Sequence, residues 1–230
     1  MPVDNTTPDH NFVVLDTETT GLPRYASFSC HYPPHLLQHY NSSRLIELGV
    51  VAYDFTGELN GRMGQLILPE GPYELDPKAV EVHGIQPEHL IKKGARTGVV
   101  LERFYKLLLR CGAPFNCTIV GHNVAFDWHI ICSEAHRVAH WGLVDLMFRT
   151  PTYCTMLTNT HRCGLRMRNG RRKWPKLCEL YDNLFPNEGM VDAHSALGDA
   201  VCTARCFFEI YRREAEPFDQ VPNNNNKPNT

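Results

Sequence analysis

The stretch Phe12-Val13-Val14-Leu15-Asp16-Thr17-Glu18-Thr19-Thr20-Gly21-Leu22 constrains this chain more than any other. Four bulky or β-branched apolar residues in succession suit a strand buried on both faces. Residues two apart on a strand share a face, so Asp16 and Glu18 project side by side into one space. Gly21 and Pro23 end the strand. Paired carboxylates there repel each other and favour the neutral form. A hard divalent cation with oxygen ligands offsets that cost. A solvated strand end is the plainer reading of an isolated D-x-E, and the metal reading requires that further acids converge on the same place.

The 230 residues, 21% of them charged, describe one globular domain with a sizeable core. A net charge of −2 gives no basic field over the whole molecule, so any nucleic-acid surface must be local. Nine cysteines make an odd count without a compact spacing pattern, and the polar N-terminus has no apolar signal region. Together these favour a reduced, intracellular setting, cytoplasm or nucleus. No apolar run approaches membrane-spanning length.

Residues 1–11 are a polar lead-in, expected to be loosely held. The segment 24–43, rich in Pro, Tyr and His, lacks periodicity and reads as a long loop. Its Cys30, His31, His35 and His39 admit a zinc site, though without the paired spacing of structural zinc; a mobile loop beside a groove is the alternative. Arg44 to Asp54 and Gly61 to Pro69 read as a second and third strand. Asp76-Pro77 opens a short capped helix that His83-Gly84-Ile85 ends. Val99 to Arg110 reads as an amphipathic helix with Leu101, Phe104, Tyr105, Leu108 and Leu109 inward.

Asn116 to Val120 is strand-like and runs into Gly121-His122-Asn123-Val124-Ala125-Phe126-Asp127, after which helical spacing continues from Trp128 to Trp141. Asp127 is therefore near a helix N-terminus, as a dipole-stabilised cap or as a ligand. Cys132, His136 and His140 recur every four residues and read as a packed helix face or a metal stripe. Leu146 to Cys178 holds no acid, while Arg162, Arg166, Arg168, Arg171, Arg172, Lys173 and Lys176 gather around an Asn169-Gly170 turn. That stretch is either a solvated loop or a phosphate-contacting one with Trp174 available to stack. Lys176 to Phe185 is an amphipathic helix. His194-Ser195-Ala196-Leu197-Gly198-Asp199 then opens a last helix reaching about Arg213, where Asp199 is an expensive charge among apolar neighbours. The tail 214–230, with four consecutive asparagines, reads as disordered.

Three motifs in order, DTETTGL at 16–22, NVAFD at 123–127 and HSALGD at 194–199, together with Val82-His83-Gly84-Ile85, resemble the DEDDh group of DnaQ-like 3′–5′ exonucleases. The likeness spans roughly 12–213. Ser195 stands where the tyrosine sister group has Tyr, so the histidine type is indicated. The resemblance implies an α/β, RNase-H-like fold: a mixed five-stranded sheet flanked by helices, with the 24–43 insertion and the basic 161–176 loop as departures. It implies that Asp16, Glu18, Asp127 and Asp199 hold two Mg²⁺ or Mn²⁺ ions and that His194 is the general base. Thr17, Thr19, Leu22, His83, Ile85, Asn123 and Phe126 would then contact substrate. The expected partner is a nucleic-acid 3′ end, single-stranded or frayed and DNA before RNA, with a polymerase as a further partner and no membrane. The alternative is a non-cleaving nucleic-acid-binding module on the same fold, whose usual mark is a lost acid.

Overall fold

The apolar run at 12–15 becomes the middle of the main sheet. The computed structural model describes residues 10–27, 30–190 and 194–215. Residues 1–9 of the lead-in and 216–230 of the tail lie outside the described residues. The chain runs through β1 (Asn11–Thr19), β2 (Tyr25–Ser27), β3 (Cys30–His31), β4 (Leu45–Asp54), β5 (Leu59–Leu68), α1 (Pro77–His83), α2 (Pro87–Lys93), β6 (Ala95–Arg96) and α3 (Thr97–Arg110). It continues through β7 (Cys117–Gly121), α4 (Val124–Arg137), α5 (Trp141–Arg149), β8 (Thr152–Cys154), α6 (Thr155–Cys163), α7 (Leu177–Leu184) and α8 (Ala196–Ala215).

The sheet order is β6-β5-β4-β1-β7-β8. β1 pairs antiparallel with β4 and parallel with β7, which makes the sheet mixed as an RNase-H-like fold requires. It has six strands where five were expected, because the two-residue edge strand β6 is too short to leave a sequence pattern.

Alternation along β1 sorts its side chains between two cores. Val13 and Leu15 pack with Val100, Phe104, Ile130 and Leu143 of α3, α4 and α5. Phe12 and Val14 pack on the other face with Ala200, Ala204 and Phe207 of α8. All four are essentially buried, each contributing about 1.5–3 kcal/mol. The same parity sends Asp16 and Glu18 toward α8 and Thr17 toward α4. Gly49, opposite Asp16 in the β1–β4 register, lets α8 come close; a Cβ there would lie 2.1 Å from the carbonyl carbon of Ala196.

Several sequence expectations change in detail. α3 begins at Thr97, and its buried stripe runs through Val100, Leu101, Phe104, Leu107 and Leu108, leaving Leu109 exposed. The 24–43 segment is docked rather than free: β2 and β3 form a small hairpin, Leu37–His39 a 3₁₀ turn, and Tyr40 is fully buried. The His31 ring stacks on His129 of α4 at 4.4 Å, and Arg137 binds the Leu37 carbonyl and the Asn41 side chain. The Cys/His residues of this segment do not converge, since His35 faces His136 and His39 stacks on Tyr32. Nor do Cys132, His136 and His140: Cys132 is in the core, and His140 lies beyond α4, capping α5 and meeting Glu102. The basic stretch folds into an exposed hairpin, bridged at Arg166 and Arg172, with Gly170 at φ +79° in its turn.

Candidate active site

Asp16 and Glu18 of β1 meet Asp199 of α8, with one carboxylate oxygen from each lying within 4.8 Å of the others. Among the described residues this is the one acid, His or Cys group so arranged. Burial holds the Asp16 carboxyl well above the usual carboxylate range, and the charges of Asp127, Glu18, Asp199 and Glu47 push the same way. Glu18 is raised to about 8, first by burial and then by Asp199, Glu47 and Asp127. Burial also raises Asp199, but the His194 backbone and imidazole offset part of the effect. A half-buried, oxygen-only cluster that resists ionisation fits a hard divalent cation.

Asp127 approaches from the opposite face of the sheet. It sits in the first turn of α4, which begins after the Gly121–Asn123 turn; Asn123 takes a left-handed φ of 70° there, a conformation Asn tolerates better than most residues. Thr17 points to that side between the two acids and donates its hydroxyl to Asp127 Oδ1 at 2.7 Å. Asp127 lies outside the close trio, yet its charge bears on Asp16 more than that of any other carboxylate. Burial raises its own carboxyl, against the Thr17 hydrogen bond. Thr17 thus holds this acid and also lines the cleft beside it.

His194 stands two residues before α8, exposed, with φ +71°. A non-glycine residue in that region costs on the order of 1–3 kcal/mol, and such strain gathers at functional sites. Its imidazole is close enough to Asp199 to favour that carboxylate's charge.

A cleft of about 340 Å³ opens beside the acids, lined in part by Glu18, Thr19, Leu22, Val82, His83 and Phe126. Leu22 is 67% exposed at its rim. Thr19 is buried and donates its hydroxyl to the Gly21 carbonyl. His83 accepts the Ile85 amide on Nδ1 at 2.9 Å, which fixes the turn after α1. Ile85 is buried against Ile46 and Leu90 and is not among the residues that line the cleft. Asn123 lies across Phe126, on the far side of this cleft's wall.

Sequence reasoning missed Glu47. It faces Glu18 across the β1–β4 register, and its Oε2 accepts the Ala196 amide at 3.0 Å, tying the first turn of α8 to the sheet. Burial raises its carboxyl, against that amide. The available signal was a lone acid inside the apolar run Leu45-Ile46-Glu47-Leu48-Gly49-Val50.

Residues 13–207 match the family model RNase_T, described as exonuclease. The chain belongs to this exonuclease family. Similar proteins include the DNA polymerase III subunit epsilon of Pasteurella multocida, 28% identical over 209 residues that make up 90% of this chain and 71% of the relative. Ribonuclease T of Buchnera aphidicola is 27% identical over 143 residues, 60% of each protein. The structure of E. coli exonuclease I with a dA16 oligonucleotide shares the fold, with a TM-score of 0.63 at 18% identity, over 88% of this chain and 41% of that one. The chain thus spans less than half of that enzyme. The DnaQ-like 3′–5′ exonuclease class read from the motifs holds, and with it the enzyme class. No helix among the described residues is long and apolar enough to cross a membrane.

Proposed function

We propose that this protein removes nucleoside 5′-monophosphates from the 3′ end of a nucleic acid, DNA before RNA, as a histidine-type member of its family. The carboxylate trio carries the reading: three acids from two distant segments, half-buried and mutually repelling, with oxygens inside 4.8 Å. Asp16, Glu18 and Asp199 would hold the cations, Mg²⁺ or Mn²⁺, with Asp127 supporting the second. When bound, such cations would supply electrostatic stabilisation of the charge that develops on the attacking and leaving oxygens.

The chain supplies the rest. His194, exposed at the mouth of the site, takes the proton of the attacking water as the general base. Thr17 orients Asp127, and Glu47 holds the helix start that carries Asp199 and follows His194. The terminal nucleotide occupies the 340 Å³ cleft, with its base between Leu22 and Phe126 and its 3′ hydroxyl toward the Thr19 backbone. His83 shapes that cleft, and Asn123 turns the strand past Phe126. The relatives called DNA polymerase III subunit epsilon make a polymerase the protein partner to seek.

The test is digestion of 3′-labelled single- and double-stranded DNA and RNA with Mg²⁺ or Mn²⁺, alongside Asp16→Asn. Stepwise release of mononucleotides by the wild type alone is the expected result. Binding without release by both proteins would instead support the non-cleaving module, although none of its expected lost acids is lost here.

A further inference from the structure

Beyond Phe126 a second cleft, of about 600 Å³, is lined mainly by Tyr25, His31, Asn123, Met156, Leu157 and Trp174. It borders the first one: Phe126 lines the catalytic cleft, while Asn123 and Ala125, on the same turn and first turn of α4, line the second. The His31 ring lies 6.3 Å from Phe126 and 4.9 Å from Tyr25, so aromatic surface runs unbroken from one cleft to the other. Tyr25 and Trp174 are each 41% exposed and Leu157 52% exposed, an unusual grouping of apolar surface.

The walls come from two segments that lie outside the three acid-bearing motifs. One is the β2–β3 hairpin, fixed to α4 by the His31–His129 stack. The other is the end of the basic hairpin. His122 joins that end to the catalytic turn, with its two ring nitrogens at 3.0 Å from Thr155 Oγ1 and 2.9 Å from the Pro175 carbonyl. Trp174 therefore comes from a strut anchored beside Asn123, and the exposed Arg168, Arg171 and Arg172 continue from its outer edge.

We propose that this second cleft binds the bases lying 5′ of the terminal nucleotide, unpaired and stacked on Tyr25 and Trp174, with the basic hairpin along their phosphates. This rests on the exonuclease reading of the first cleft. Aromatic platforms beside a basic edge are how single strands are held without sequence readout. A base lodged between two protein walls cannot keep its complementary partner, so the chain selects single-stranded or frayed ends.

Two substrates separate the clefts: a dT8 strand, which reaches both, and thymidine 5′-(p-nitrophenyl phosphate), which occupies only the first. Trp174→Ala and Tyr25→Ala should each raise KM for the strand about tenfold and leave kcat/KM for the one-nucleotide ester within about twofold. Trp174→Phe should retain most of the strand's affinity. An unchanged KM in both alanine variants would overturn the proposal, as would equal losses on the two substrates. A blunt duplex bound as tightly as the single strand would also overturn it. Should the wild type cleave neither substrate, the exonuclease reading fails by itself. Titration of dT8 binding then decides the cleft: weaker binding by Trp174→Ala upholds it, and equal binding removes it.

Discussion

On the proposed reading, Asp199 would serve catalysis at the expense of the cation-free fold. Replacing it with Asn should abolish nucleotide release in a 3′-end assay yet raise the melting temperature in EDTA, because one repelling charge leaves the cluster. A gain of about 1 kcal/mol corresponds to about 2–4 °C for a domain of this size. The same repulsion predicts a pH dependence. Glu18 is raised from 4.5 to about 8 in the folded protein, so the folded state keeps a proton that the unfolded chain releases in this window. Stability without cations should therefore fall as pH rises from 4.5 toward about 8 and level off above it. Mn²⁺ binds the ionised form, so its stabilising effect should be larger at the alkaline end. Melting curves with EDTA and with Mn²⁺ across that range check both, and a flat EDTA series would refute the account. Thr17→Val tests the neighbouring link. Loss of its bond to Asp127 should lower activity about 10–100-fold, by analogy with other groups that orient a ligand; a titration of Mn²⁺ against rate should show the loss.

At the scale of elements, the site depends on how closely α8 approaches β4. Gly49→Ala would put a methyl group 2.1 Å from the Ala196 carbonyl carbon, and neither backbone has a flexible end that could yield. The variant should lose about 3 kcal/mol in a urea melt, with activity lost as Asp199 is carried away from Asp16. Gly98→Ala, where a Cβ on α3 meets nothing within 4 Å, should instead gain up to about 1 kcal/mol from helix propensity. Elements of this kind were legible when their periodicity was strong. β1, β4, β7, the cap of α1 by Asp76 and the last helix all showed in the sequence through apolar runs, Pro and Gly. The two-residue β6 has too few residues to show a period. The docking of 24–43 was equally hidden, since it depends on single aromatic contacts such as Tyr40 and the His31–His129 stack. The acids were readable because each was costly where it stood. Glu47 escaped notice because its partner, the Ala196 amide, is 149 residues away.

Over the whole molecule, charge is separated rather than abundant. With a net charge of −2, the chain repels a polyanion weakly at long range, and its repelling acids lie where, on the proposed reading, a phosphodiester would arrive. The basic hairpin reverses that balance locally. Lys173 there is committed to Glu179, and Arg162 to Asn159 and Glu214. Arg168, Arg171 and Arg172 stand exposed along the hairpin. If these side chains neutralise phosphates, each contact releases counterions on binding, and affinity falls linearly with the logarithm of salt. The Arg171→Glu, Arg172→Glu double variant should then bind a dT8 strand more weakly at low salt, with a log–log slope shallower by about 1.4 if both residues touch phosphate, at about 0.7 per contact for a single strand. Turnover of a one-nucleotide ester, which does not reach the hairpin, should be unaffected. Identical slopes for variant and wild type would make the hairpin a solvated surface, and the long-range attraction of the strand would then need another source.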